Sequence, residues 1–347
     1  MISTNASKID NIIVHGIGNK INGDSCIFSK NYLTPSAEIS DLLSKYFLSS
    51  FKNQETYHFI HDSSLTLNEI YVYASEVFDN PERLIEKSIN IGKHLYEQSI
   101  YPMIKSGELY VVYFTDCLVD GEVSDAIGIF KSENKETFLK VYNTNNEYGI
   151  GKDNGININK LDKGCIIYNA ERENGFIVSV VDNTSKGTEA KYWVDDFLHI
   201  GQREDIYYNT HNLMSMCKSY VVSQLPNEFD VSKADQAELL NKSARYFKEN
   251  DSFDMQSFTN EVITQQDIID SFNSYKKIYQ EDLGIEIAEE FDISSSAVKK
   301  QARAFKSVIK LDKNFHIYVH GNNQHIKRGY DEVAGMYYYQ LFFKEEL

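Results

Sequence analysis

A local excess of positive charge near the C-terminus is the feature of this sequence with the clearest chemical meaning. The chain has 35 Lys and Arg residues against 51 Asp and Glu residues, a net charge of −16. Residues 297–313 reverse this balance, because Asp312 is their only acid and they hold six cations: Lys299, Lys300, Arg303, Lys306, Lys310 and Lys313. A polyanion would be repelled by most of the surface and attracted to this segment, which predicts phosphate contacts there.

The first of these cations are predicted to lie on a helix from Ser295 to about Phe305. Val298, Ala302 and Phe305 recur at helical spacing and form an apolar stripe, and the basic residues lie off that stripe. The helix would therefore bury one side and present its cations to water. The alternative is a solvated face that only balances the negative charge of neighbouring helices.

The remaining cations are predicted to lie on two paired strands, Ser307–Leu311 and Phe315–Val319. Lys306 and Lys310 share a face of the first strand, because side chains alternate along an extended chain. Helix and strand are expected to present one continuous cationic surface. Each phosphate contact releases counterions, so binding through this surface would weaken as salt increases.

A helix-turn-helix is a second interpretation of the same region. Residues 287–294 would supply the first helix and the turn, and residues 297–300 the start of the recognition helix. Asp292 stands where the turn usually has glycine, and Asp tolerates the left-handed conformation better than most residues. The side chains facing a major groove would be Ser295, Ser296, Lys299 and Lys300. Pairs of amphipathic helices imitate this pattern, so simple packing is the alternative.

Two further motifs resemble ligand sites only in part. Gly16-Ile17-Gly18-Asn19-Lys20 lacks the spacing and the Ser or Thr of a phosphate-binding loop, and it predicts a turn in which the glycines adopt positive φ. His58 and His61, followed by Asp62, could bind a metal from one helical turn. No third ligand stands at a recognisable spacing, so polar surface or capping roles are favoured for them.

Carboxylates, the single tryptophan and the cysteines complete the candidates. Asp116, Asp120, Glu122 and Asp125 surround an Asp-Gly turn and could hold Mg²⁺, although a solvated hairpin tip is favoured. Trp193 could stack on a base of a single-stranded partner, or it could anchor a helix against the sheet. Cys117 and Cys165 lie in predicted strands without a nearby histidine, which favours core packing over catalysis. The sequence predicts no metal site and no cofactor.

The periodicity of apolar residues predicts an α+β protein. Residues 1–200 are expected to form an α+β domain with an antiparallel sheet flanked by helices. Residues 201–290 are expected to form an acidic helical segment, and residues 291–347 a basic helix plus β-meander module. The N-terminus has no apolar core typical of a secretory signal, and no apolar run is long enough to cross a bilayer. Four widely spaced cysteines without a CxxC pair fit a reducing cytoplasm.

Several segments, in order along nearly the whole chain, resemble the bacterial nucleoid-associated protein family in its Bacteroidetes-type form. They are VHGIGNK (Val14–Lys20), AIGIFKSENKETFLKVY (Ala126–Tyr142), GININKLDKGCIIYN (Gly155–Asn169), FDVSKADQAELLNKS (Phe229–Ser243) and FKSVIKLDKNFHIYVHG (Phe305–Gly321). The resemblance implies a cytoplasmic protein that is recovered with the chromosome and binds double-stranded nucleic acid. It also implies topoisomerase partners for some members, and it supplies no catalytic residues.

These observations predict a non-enzymatic nucleoid protein that contacts duplex DNA mainly through phosphates, with little reading of bases. Whether RNA also binds, and whether the chain forms a homodimer, is left open by the sequence. One alternative is an adaptor whose acidic helices engage a DNA-handling enzyme such as a topoisomerase. The other is a metal-dependent nuclease built on the carboxylates around Asp120.

Overall fold

The computed structural model describes residues 2–4, 6–51, 55–184, 192–302, 305, 308–311, 313–319 and 325–345. The chain divides into two units, Met1–Arg203 and Glu204–Leu347. The three predicted segments, 1–200, 201–290 and 291–347, remain a prediction at the level of independent domains.

The first unit is built on an antiparallel sheet. Its strands are β1 (Ile2–Ser3), β2 (Lys8–Ile17), β3 (Ile27–Phe28), β4 (Tyr57–Phe59), β5 (Gly107–Val119), β6 (Glu122–Ser132), β7 (Glu136–Thr144), β8 (Glu147–Gly155), β9 (Lys163–Tyr168), β10 (Ile177–Asp182) and β11 (Ile200–Gln202). The main sheet has the order β11-β4-β10-β9-β6-β5-β2-β3, and β1 pairs with β5. Strands β7 and β8 form a separate ribbon.

Helices cover both faces of this sheet. They are α1 (Ala37–Leu48), α2 (Glu69–Asp79) and α3 (Leu84–Gln98), with a π-helical segment at Tyr192–Leu198. Along β5, Val111 packs in one core with α2, α3 and the π-helical segment, whereas Val112 packs in a second core with Phe47 of α1. This alternation is the period-two pattern of a sheet buried on both sides.

Capping side chains and a proline mark the starts of these helices. The Ser36 side chain accepts a hydrogen bond from the Ile39 amide at the start of α1, and Asn68 does the same for Tyr71 at α2. Pro81 opens the 3₁₀ turn before α3, where a missing N–H costs little. Apolar residues at helical spacing predict helices over Ser36–Leu48 and Leu67–Phe78 and a third from Pro81 to about Gln98, and the structure confirms all three to within a few residues.

The second unit is mainly helical. Its helices are α4 (Ile206–Ser219), α5 (Leu225–Glu228), α6 (Lys233–Glu249), α7 (Met255–Phe258), α8 (Gln266–Leu283) and α9 (Ser295–Gln301), with π-helical segments at Tyr220–Gln224 and Thr259–Ile263. Within the described residues its strands form three antiparallel ribbons: β12 (Ser252–Asp254) with β13 (Glu290–Asp292), β14 (Val308–Leu311) with β15 (Phe315–Tyr318), and β16 (Ile326–Asp331) with β17 (Met336–Leu341).

An aromatic core holds the helices of the second unit together. Tyr220, Phe247, Phe258 and Phe272 are buried in it, and the Phe247 and Phe253 rings stack with centroids 5.7 Å apart. The α+β class is confirmed, with antiparallel strands in both units. No helix in the described part of the chain combines the length and apolar character that a membrane span needs.

Candidate nucleic-acid interface

The four described cations of the basic segment all lie at the surface of the second unit. Lys299 and Lys300 are exposed in the last turn of α9, whose first turn is capped by the Ser294 side chain. Lys310 is exposed on β14, directly opposite His316 of β15, and Lys313 is exposed in the turn between these strands. The predicted contacts Arg303 and Lys306 lie outside the described residues.

These lysines differ from two other lysines of the same unit, Lys276 and Lys242, in their ionic partners. Lys276 forms an ion pair of 2.6 Å with Glu289, and Lys242 forms one of 2.9 Å with Glu238. Within the part of the chain that the structure describes, Lys299, Lys310 and Lys313 pair with no carboxylate. Lys300 is engaged differently, because its Nζ stands 5.5 Å from the centre of the Tyr207 ring.

Helix α6 supports both elements that carry the described cations. Ala234 and Ala237 on α6 are buried against Ile309, the neighbour of Lys310 on β14. Helix α9 also packs on α6, and it packs more extensively on α4. Ile309 points into this small core, so Lys310 points away from it, as the alternation of a strand requires.

The apolar stripe predicted for the basic helix is confirmed for Val298 and Phe305, which pack in one core of the second unit, and it is wrong for Ala302. Helix α9 ends at Gln301, and Ala302 is exposed. The residue that the helix buries most completely is Ala297, with Val298 half-buried beside it. The buried side of this short helix is formed by Ala297 and Val298, and Phe305 is buried beyond the end of the helix.

The helix-turn-helix interpretation is also wrong. The residues assigned to its first helix include β13, which pairs with β12 through Phe291 and Phe253. The two rings stack with centroids 5.0 Å apart, so the apolar residues of this segment serve a ribbon and the aromatic core. The first helix therefore does not exist, and the motif gives no reason to place Ser295 or Ser296 in a major groove.

The glycine motif near the N-terminus forms the end of β2 and a turn. The predicted positive φ is wrong for Gly16 and Gly18, neither of which adopts a left-handed conformation. Gly18 is required by close approach instead, since a Cβ there would lie 2.6 Å from the Asp24 backbone oxygen. The buried Asn19 amide donates to the carbonyls of Tyr101 and Ile104, at 2.8 and 2.7 Å. These contacts make the motif a structural turn.

The two histidines are not on a helical turn, so that arrangement for metal binding is wrong. His58 lies on β4, with its Nε2 atom 3.0 Å from a carboxylate oxygen of Glu171. His61 follows in a loop, where its Nδ1 atom accepts from the Ser63 amide. Across the residues that the structure describes, no group of three His, Cys, Asp or Glu side chains is placed to hold a metal.

The acidic cluster at Asp120-Gly121 is the tip of the β5–β6 hairpin. Asp120 and Gly121 form the turn with positive φ. Asp116 forms an ion pair of 2.9 Å with Lys8, and Asp125 accepts from the Tyr113 hydroxyl at 2.7 Å. The carboxylates are thus directed to separate partners, and the interpretation as a hairpin tip is confirmed.

The tryptophan and the cysteines are core residues. Trp193 is fully buried and packs against Phe197 with ring centroids 4.8 Å apart, so its predicted role as an anchor is confirmed and base stacking by it is wrong. Cys117 and Cys165 are also buried. Burial raises the pKa of the Cys117 thiol to about 11, which leaves it protonated and unreactive at neutral pH.

Sequence reasoning missed two clusters of positive charge. Lys233 and Arg328 share a groove with Lys310, although the three are far apart in sequence. Lys131 and Lys163 are buried in the first unit with carboxylate partners. The only sequence signal for the groove is the run Tyr337–Tyr339, whose tyrosines neighbour the basic pair Lys327-Arg328 on the paired strand.

The sequence of this chain is similar to a known protein family. The model of the family described as nucleoid-associated protein YejK matches residues 13–334, nearly the whole chain. No curated protein matches the chain.

Proposed function

The chain belongs to the family of the nucleoid-associated protein YejK, and on this premise we propose that it binds duplex DNA directly, without catalysis, through phosphate contacts. The contacts would come from Lys299, Lys300, Lys310 and Lys313 of the second unit. Arg303 and Lys306 belong to the same proposal by their place in the sequence.

The observation that carries this proposal is the pairing pattern of the lysines. Lys299, Lys310 and Lys313 are exposed, and none is neutralised by a described carboxylate in a chain of net charge −16. A lysine held by a neighbouring acid would have to lose that partner before it could contact a phosphate. These three lysines need no such exchange, so their full charge is available to a polyanion.

The chemistry of such a surface is electrostatic and independent of base sequence. A lysine ammonium contacts phosphate oxygens as a point charge, which positions a duplex without reading its bases. Each neutralised phosphate of a duplex contributes about 0.9 to the slope of log K against log salt concentration. Three to six contacts would therefore make binding strong at low salt and steeply weaker as salt increases.

A charge-reversal variant tests this proposal. We expect Lys299→Glu/Lys310→Glu/Lys313→Glu to lower duplex affinity by more than about tenfold at low salt and to flatten the salt dependence. The measurement is fluorescence anisotropy of a labelled duplex, titrated with the full chain at several salt concentrations. Circular dichroism of the variant confirms that the fold is kept, because all three side chains are exposed.

The matched control carries the same change in net charge elsewhere. Lys140, Lys152 and Lys160 are exposed lysines of the first unit, and Lys140→Glu/Lys152→Glu/Lys160→Glu alters the total charge equally. If both triple variants lose the same affinity, the effect is one of net charge and the proposed surface is rejected. Wild-type affinity in the first variant would reject it as well.

The two alternatives give different results in separate assays. The family match does not favour the adaptor. If the chain is an adaptor, partner proteins must stay bound to it after nuclease treatment. A nuclease would have to cleave plasmid with Mg²⁺ and lose that activity in Asp120→Ala. The division of the hairpin carboxylates among Lys8 and Tyr113 gives no support to this last function.

A further inference from the structure

A groove of about 860 Å³ in the second unit combines cations with aromatic rings. Its floor and walls come from the start of α6 and from the ribbons β14–β15 and β16–β17. The cations are Lys233, Lys310 and Arg328, and exposed rings are contributed by Phe315 and Tyr337. The groove is assembled from three separate parts of the sequence.

The charge of this groove is uniformly positive. Among the described side chains that line it, none is acidic. The first carboxylate along α6 belongs to Asp235, which accepts hydrogen bonds from the backbone and the hydroxyl of Ser232 in a capping box. That carboxylate is hydrogen-bonded at the start of the helix, so the charged side chains that line the groove itself are all cations.

The aromatic rings of the groove are held open to solvent. Phe315 is 63% exposed and Tyr337 is 67% exposed, which is unusual for rings of this size. The Arg328 guanidinium lies 4.3 Å from the centre of the Tyr337 ring, and Tyr330 packs on the same ring at 4.9 Å. These neighbours fix the orientation of Tyr337, so a ligand that stacks on it meets a preformed surface.

We propose that this groove binds single-stranded nucleic acid, with its bases stacked on Phe315 and Tyr337 and its phosphates contacting Lys233, Lys310 and Arg328. A duplex offers phosphates but hides its base faces inside the stack. A single strand offers both, and a positively charged groove lined by aromatic rings is the arrangement that suits it. This inference goes beyond duplex binding and shares only Lys310 with it.

Charge and ring exposure together favour this occupant over two others. A second copy of this chain would offer acids and exposed rings together on its β7–β8 ribbon, where Glu147 and Tyr148 are both exposed, but it would bring no phosphates and no run of stacked flat bases. An acidic peptide would satisfy the cations and leave the exposed rings without a flat partner. Both occupants are separate outcomes of the experiment below.

The experiment compares a single strand with bases to a strand without them. Full-length chain is titrated into a labelled oligothymidylate of about 12 nucleotides, an abasic strand of equal length, and a duplex. We expect the wild type to bind the oligothymidylate more tightly than the abasic strand. Phe315→Leu/Tyr337→Leu should lose at least about fivefold in affinity for the oligothymidylate, the equivalent of one weak base stack, and nothing for the abasic strand or the duplex.

A matched control lies on the same ribbon. Tyr318 is 59% exposed on β15 but does not line the groove, so Tyr318→Leu should leave oligothymidylate binding unchanged. Lys233→Gln leaves the contact between Arg328 and Tyr337 in place and should reduce the salt slope for the single strand by about 0.7, which checks the phosphate contact independently of stacking. Thermal melting of each variant verifies folding.

Several outcomes would overturn the inference. Equal affinity for the oligothymidylate and the abasic strand would reject stacking, as would displacement of the strand by polyglutamate as readily as by unlabelled oligothymidylate. A dimer that Phe315→Leu/Tyr337→Leu dissociates, without a change in strand binding, would assign the groove to a second copy. Lys299→Glu/Lys313→Glu keeps Lys310 and changes no residue that lines the groove, so loss of duplex binding in this variant tests the proposed function alone.

Discussion

Two groups of lysines, one in each unit of this chain, occupy opposite environments. Lys131 and Lys163 of the first unit are almost fully buried, and each reaches a carboxylate at 2.9 Å, Glu133 and Asp182 respectively. The second unit instead has exposed lysines that no described carboxylate neutralises: Lys299, Lys310 and Lys313. The same side chain therefore serves the fold where water is excluded and is available to a ligand where water has access.

The buried network of the first unit shows what a lysine costs away from water. Desolvation lowers the pKa of Lys131, and the charge and hydrogen bond of Glu133 oppose that shift. The Lys131 ammonium also donates to the Lys105 carbonyl at 2.9 Å, and the Tyr192 hydroxyl donates to Glu133 at 3.2 Å. Such a network stabilises little overall, but it is costly to break once both charges are buried.

We expect the largest loss of stability when the carboxylate of Glu133, which lies near both Lys131 and Lys163, is removed. Glu133→Ala would leave Lys131 without its ion-pair partner and would weaken the surroundings of Lys163 at 3.9 Å. We expect a loss of about 3–5 kcal/mol in the free energy of unfolding. Urea titration followed by Trp193 fluorescence measures it, because the single tryptophan is buried in this unit.

The control for this variant is a more accessible ion pair in the same unit. Lys135 and Glu108 are 2.5 Å apart but remain accessible to water, so Glu108→Ala should cost less than about 1 kcal/mol. Similar losses in the two variants would mean that burial does not distinguish them. The contrast between buried and exposed lysines would then have no energetic basis.

Acid should destabilise the first unit through a buried histidine. His15 is almost fully buried, its Nε2 lies 2.9 Å from the Ser88 hydroxyl, and burial lowers its pKa from 6.5 to about 4. The unfolded chain takes up a proton first as the pH falls, so stability is complete above 6.5 and declines towards 4. Between pH 7 and pH 5 we expect a loss of about 2 kcal/mol from this group.

His15→Gln separates this group from the rest of the titration. Glutamine does not ionise, so its unfolding free energy should change less between pH 7 and pH 5 than that of the wild type. The comparison uses the same tryptophan-monitored urea titration at each pH. Parallel pH profiles for the two proteins would show that buried neutral His15 does not control the acid sensitivity.

Lys276 of the second unit lies between these two environments, because only one member of its ion pair is buried. Lys276 is buried, yet its partner Glu289 is 70% exposed at 2.6 Å. Glu289→Ala should cost about 1 kcal/mol, between the limits for exposed and buried pairs, because water can approach the ammonium from the side that Glu289 leaves. Hydrogen exchange of α8, which carries Lys276, measures the change. A loss as large as that of Glu133→Ala would show that exposure of one partner does not reduce the stability lost when that partner is removed.

The sequence was sufficient for elements whose signals are local. Spacing of apolar residues predicted α1, and Pro81 marked the turn before α3, since caps and periodicity act over a few residues. The short strands β4 and β13 were missed because three residues carry too little pattern. The segment around β13 was assigned to a helix, although its phenylalanine serves a ribbon that is closed by β12, nearly forty residues earlier.

From the sequence, the candidate interface could be predicted only as a run of neighbouring residues. The local excess of positive charge located Lys299 and Lys310, and their role as DNA contacts stays a prediction. The groove joins Lys233, Lys310 and Arg328 through the packing of a helix on two ribbons, which no spacing in the sequence encodes. Burial of Lys131 was equally hidden, because its strand appears in the sequence as an apolar run that ends in a basic residue.

A single neutralisation in the second unit is expected to give the smallest change in stability and a defined change in binding. Lys299→Gln removes one exposed charge that no described carboxylate pairs with, so the free energy of unfolding should stay within about 0.5 kcal/mol of the wild type. The slope of log K against log salt for a duplex should fall by about 0.9, the amount for one phosphate contact. Lys140→Gln, which removes a charge from the first unit, should leave that slope unchanged. If Lys299→Gln instead lowers the free energy of unfolding as strongly as the loss of a buried ion pair does, Lys299 has a structural role. It would then not belong with the exposed lysines, and the proposal that it contacts a phosphate would lose its support.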